Sequence, residues 1–157
     1  LGYHSFDWEN DDSSGTPDCV WCGTIQGLSF EAKTMTERED KPISCNYIGQ
    51  MARQQQWAKR ELNLSIPLTS IMITKQYSIQ KDALQSRDEK DRYITPTVIR
   101  EIFALLTEMY IDLSNKTLNL SVEETRSAIY QELMNKKLLL SDIITRLQKF
   151  DTLKTVG

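Results

Sequence analysis

A chain of 157 residues, 39% hydrophobic and 26% charged, has the length and composition of one ordinary globular domain with a real core. Its most apolar run, "SIPLTSIMIT", is far shorter than the roughly 18 residues of a membrane span, so no membrane association is expected. Three cysteines always leave one unpaired, which excludes a disulfide framework and favours a reducing, cytoplasmic or nucleoid setting. The net charge of −3 excludes a strongly basic nucleic-acid binder.

That charge is uneven. Residues 1–42 hold three Lys/Arg against nine Asp/Glu, residues 43–100 nine against five, and residues 101–157 seven against eight. An acidic front followed by a basic stretch suits a metal site beside a phosphate-binding face, although ordinary surface fluctuation produces the same pattern. Leu1 is not an initiator Met and no basic-then-apolar leader follows it. A piece of a longer protein is therefore expected.

"YHSFDWE" (3–9) alternates as a strand does, and "NDDSSGTP" (10–17) is a dense turn signal. "DCVWCGT" (18–24) reads as a second strand, "IQG" as a turn, and "LSFEAKTM" (28–35) as a third strand of clean alternation. From Ile43 to about Leu62 the period becomes helical, with Tyr47, Ile48, Met51, Ala52, Ala58 and Leu62 as the expected buried stripe. After Pro67, "LTSIMITKQ" (68–76) reads as a strand buried on both faces. The charged "SRDEKDR" (86–92) reads as a loop or the end of a short helix.

Thr95-Pro96 then marks a helix start, expected to run to about Leu113. Ser121 and Glu124 form a capping box for a helix to about Lys136. Ser141 is the expected cap of a last helix carrying Ile143, Ile144, Leu147 and Phe150. The order predicts a mixed α/β fold: three antiparallel strands, a helix and a fourth strand over 1–95, then a helical C-terminal region over 96–157 packed on that core.

Cys19 and Cys22 form a C-x-x-C that invites a zinc reading with Cys45 and His4. In a strand, residues three apart face opposite sides, so these sulfurs are expected to be two buried hydrophobes instead. A redox pair would open a helix, and this one does not. Trp8, Trp21 and Trp57 have the chemistry to stack on bases but are expected in the core.

The third strand carries the chemistry. Its alternation points Leu28, Phe30 and Ala32 to a core and Ser29, Glu31 and Lys33 to the other face. Asp18 heads the preceding strand, and a hairpin through Gly23–Gly27 brings it back toward Glu31. Two converging carboxylates make a hard-oxygen site suited to Mg²⁺, and a lysine beside them can orient a water for attack on a phosphodiester. The plainer readings are a surface ion pair for Glu31 and Lys33 and a turn residue for Asp18.

"PD" at 17–18, twelve intervening residues, then "EAK" at 31–33 resembles the PD-(D/E)-x-K nuclease superfamily. The resemblance covers residues 1–76 and implies a restriction endonuclease-like core, whose opening helix would precede Leu1. It implies that Asp18, Glu31 and the backbone carbonyl of Ala32 hold Mg²⁺, with Mn²⁺ able to substitute. Lys33 would position the attacking water, leaving a 5′-phosphate. "NYIGQMARQQQWAKREL" is similar to the helix behind the active site in type IIS restriction enzymes. Gln50, Arg53, Gln54 and Trp57 share one helical face there, which makes Gln50, Gln54 and Arg53 candidates to support the site or touch phosphate.

The expected function is a Mg²⁺-dependent DNA endonuclease, the cleavage domain of a larger DNA-processing protein. The alternative is a nuclease-like module that binds DNA or protein without cutting. The acidic balance calls for a targeting domain or subunit in the same assembly. A double-strand break calls for a homodimer or two visits.

Overall fold

Strand β3 (Gly27–Lys33) occupies the middle of a five-stranded sheet ordered β1-β2-β3-β4-β6. The other strands of the sheet are β1 (His4–Asp7), β2 (Cys19–Cys22), β4 (Leu68–Thr74) and β6 (Arg92–Ile94). The computed structural model describes residues 4–7, 15–33, 38–117, 119–148 and 154–155. The β1–β2 and β2–β3 pairs are antiparallel, whereas β3–β4 and β4–β6 are parallel. The sheet therefore changes sense at β3. The chain is a mixed α/β protein.

Helix α1 (Cys45–Glu61) connects β3 to β4 and covers one face of the sheet. A parallel pair needs such a crossover, because a tight turn cannot reverse the chain far enough. Alternation sorts the side chains. Val20 and Cys22 of β2 pack with Ala58 and Leu68 on the α1 side, and Met72 and Tyr93 pack there with Ile48 and Met51. Trp21, Leu28, Phe30, Ile71 and Ile94 point the other way. There they meet α3 (Pro96–Lys116), α4 (Val122–Asn135) and α5 (Leu140–Gln148). That cluster joins residues on both sides of position 95.

The expected strands and the helix over 3–62 are present, with their described ends shifted by one or two residues, as are the helices from Pro96 and Val122. Residues 3, 8, 9, 34, 35 and 150, including Trp8 and Phe150, lie outside the described residues. The charged stretch follows helix α2 (Lys81–Ser86) and leads directly into β6, a strand the sequence reading lacked. Three residues behind a charged run give no readable alternation. Two further short strands, β5 (Ser78–Ile79) and β7 (Lys154–Thr155), pair in parallel, so the helical tail ends in a strand docked on the first half of the chain.

Some expected faces need correction. Ala52 is exposed, and Gln54 takes a buried place in the α1 stripe at 2% exposure. Ala32 is exposed rather than core, because it sits at the rim where β3 outruns β2. Ser29 and Glu31 are not on a polar surface; α1 covers them. Ser141 lies inside α5, whose first turn is closed by the Leu139 carbonyl accepting from Asp142 and Ile143. No helix among the described residues is long and apolar enough to cross a membrane.

Candidate active site

The hairpin that carries the acidic pair is held in register at its turn. Gly23 N–H donates to the Gln26 carbonyl at 3.0 Å, closing the turn. Gly27 follows with no room to spare: a Cβ there would stand 2.8 Å from the Trp21 carbonyl and 2.6 Å from a Leu68 methyl. Only glycine tolerates such an approach of neighbouring backbone. From this point the pairing runs outward to Cys19 opposite Phe30. The next residues on each strand are Asp18 and Glu31, which makes the carboxylates neighbours across the β2–β3 edge.

Asp18 departs from the ladder. Its own N–H donates to the Phe30 carbonyl at 3.0 Å, although Phe30 is already the partner of Cys19. Two residues thus bear on one, the count that defines a β-bulge, a device that re-aims a side chain at a strand end. The exposed Asp18 carboxylate turns onto the end of β3, where its Oδ2 accepts from Ala32 N–H at 2.6 Å. The N–H and carbonyl of an extended residue face the same strand edge. The Ala32 carbonyl therefore also faces the Asp18 side, leaving that carbonyl and the second Asp18 oxygen at one rim.

Glu31 is buried at 4% exposure, which an ionised carboxylate tolerates only with partners. It has three. Gln50 Nε2 donates to Oε1 at 2.8 Å, Gln54 Nε2 donates to Oε2, and Lys33 Nζ pairs with Oε1. The same Gln54 amide donates to the Thr16 carbonyl at 2.9 Å, tying the segment before Asp18 to the floor of the site. Lys33 keeps 22% of its side chain exposed, and its ammonium lies 5.6 Å from the centroid of the Tyr47 ring.

Asp18, Glu31, Lys33, Ala32, Gln50 and Gln54 are thus brought to one end of β3. Arg53 is exposed on α1, with its guanidinium laid back toward Gly49, where a Cβ would meet it at 3.3 Å. Trp57 packs into the cluster around Val20 and Ala58, and Trp21 stacks edge-on against Phe30 at 4.6 Å. Sequence reasoning placed Tyr47 in the apolar stripe and did not single out the Thr16 carbonyl. The signal for Tyr47 was its spacing, three residues before Gln50 and seven before Gln54, which puts all three on one face.

The donor set fits a hard divalent cation: two carboxylates and a backbone carbonyl, all oxygen. No three His, Cys, Asp or Glu side chains converge among the described residues. The cysteines stand apart. Cys19 packs toward α3 and Cys22 toward α1, on opposite sheet faces, and both are free thiols. Burial pushes the Cys22 thiol above its usual range, which keeps it protonated and inert.

No protein-family model matches the chain, nor does any curated protein sequence. Among solved structures it is similar to the small subunit of the heterodimeric restriction endonuclease R.BspD6I, with a TM-score of 0.42 and 13% identity, over 86% of this chain and 82% of that one.

Proposed function

We propose that the chain is a Mg²⁺-dependent DNA endonuclease domain with a restriction endonuclease-like core. The observation that carries this reading is the meeting of Asp18, Glu31 and Lys33 at the shared rim of β2 and β3, with Glu31 held by two glutamine amides. Asp18, Glu31 and the Ala32 carbonyl would hold the ion. When bound, Mg²⁺ or Mn²⁺ supplies Lewis-acid stabilisation of charge on the phosphoryl oxygens.

The remaining work belongs to the chain. Gln50 and Gln54 fix the Glu31 carboxylate, and Gln54 also fixes the approach to Asp18. The Lys33 ammonium, partly exposed, hydrogen-bonds the attacking water and orients it in line with the scissile bond. Arg53, exposed on the outer side of α1, would meet a backbone phosphate. With a net charge of −3, the chain relies on a targeting domain or subunit for most of its DNA affinity. One site cuts one strand, so a double-strand break requires a second copy or a second visit.

Lys33→Ala is expected to reduce cleavage of duplex DNA by about 10²–10⁴-fold with unchanged circular dichroism. Asp18→Ala is expected to abolish Mg²⁺ or Mn²⁺ binding measured by calorimetry. Full cleavage by the lysine variant would reject the assignment. Metal-free DNA binding that survives both substitutions would instead favour a non-cutting module.

A further inference from the structure

The proposed mechanism leaves one contact without a role. The Lys33 ammonium sits between two partners, the Glu31 Oε1 and the face of Tyr47, 5.6 Å from the ring centroid. We infer that Tyr47 is the positioning residue for Lys33: its ring retains the ammonium at the site when a divalent cation takes the ammonium's place at Glu31. This inference rests on the metal-dependent reading above.

Three donors already hold Glu31. Oε1 accepts from both Gln50 and Lys33, and Oε2 accepts from Gln54. A neutral amide and a metal ion can share a carboxylate through its different lone pairs. An ammonium and a divalent cation on the same oxygen repel strongly within a few ångströms. Of the three donors, Lys33 is the one that must yield.

It cannot go far, because the chemistry needs it beside the scissile bond. Tyr47 supplies the nearest seat. It lies on the same α1 face as Gln50 and Gln54, one and two turns away, so one helix both clamps the carboxylate and receives the lysine. Both Tyr47 and Lys33 are half-buried, which spares their attraction from full solvent screening. An ammonium already neutralised by a carboxylate gains less from the negative ring face than one that has been released. The ring therefore contributes most in the metal-bound state, and its electrostatic character raises metal affinity.

The test is Mn²⁺ calorimetry on the whole chain without DNA. It compares Tyr47→Phe with replacement of Tyr47 by pentafluorophenylalanine, each with Lys33 intact and with Lys33→Met. Fluorination keeps the ring's shape and inverts its quadrupole, so a packing role would not respond to it. Tyr47→Phe is expected to bind Mn²⁺ within about two-fold of the unsubstituted chain, and the fluorinated ring about three- to ten-fold more weakly. In the Lys33→Met background that difference should vanish, while Mn²⁺ binds more tightly than to the unsubstituted chain because its competitor is gone. Equal affinity for the two rings, or a difference that persists without Lys33, overturns the inference and leaves the nuclease reading intact. Absence of any Mn²⁺ binding by the unsubstituted chain rejects the metal reading itself, and the inference with it.

Discussion

Among the described residues Glu31 and Asp91 are the buried carboxylates, at 4% and 6% exposure, and their surroundings differ. Glu31 meets an ammonium and two amides. Asp91 precedes β6 opposite Ser70, whose hydroxyl bonds it, and shares its corner with the like charge of Asp88. Burial, reinforced by Asp88, pushes its carboxyl from an ordinary 3.8 to about 6. The folded state then holds the proton more tightly than the unfolded one. Stability falls as pH rises from about 4 through about 6, by an amount on the order of 3 kcal/mol. Asp91→Asn is expected to remove this slope and to be the more stable form at pH 7.5, with little difference at pH 4, in urea midpoints taken at both values. At this scale the sequence made Glu31 and Lys33 visible through their spacing from Asp18. It concealed the burial of Glu31, because strand alternation separates two faces without saying that a helix will cover the polar one. It also grouped Arg53 with Gln54, although one helical position decides which of them points inward.

At the scale of elements, the two long polar helices end in the same way. Beyond α1, Leu64 N–H donates to the Lys59 carbonyl and Asn63 N–H to Arg60; beyond α4, Leu138 donates to Leu133 and Lys137 to Met134. These are Schellman closures, and each requires a left-handed residue: Asn63 at φ 49° and Lys137 at φ 53°. Asparagine accepts that conformation readily, whereas lysine carries the Cβ clash. Lys137→Gly is therefore expected to stabilise the protein by about 0.5–1 kcal/mol, read as a raised thermal midpoint. The start of α4 was legible, since Ser121 and Glu124 satisfy each other's backbone as their spacing predicts. Its end at Asn135, with Lys136 as the cap, also falls within one residue of the expected Lys136, although no glycine marks it. β6 was hidden: a strand of three residues draws its stability from β4 beside it, not from its own pattern.

For the whole molecule, the largest core cluster unites Trp21, Leu28, Phe30, Ile71 and Ile94 of the sheet with Ile102, Met109, Ile143 and Leu147 of the helices. A fragment ending at Thr95 would expose that sheet face to water. It is expected to show no cooperative unfolding transition and no near-ultraviolet circular dichroism, while the full chain shows both. The change of sense at β3 has a consequence of another kind. Both acids and the lysine lie within residues 18–33, on one hairpin, whereas the aromatic ring and both amides lie within residues 47–54, on one helix. A single backbone cut between Lys33 and Ser44 would partition the centre into two chemically distinct halves, charged groups on one and the amides and ring that hold them on the other. The site is thus a seam between a hairpin that carries the charges and a helix that holds them.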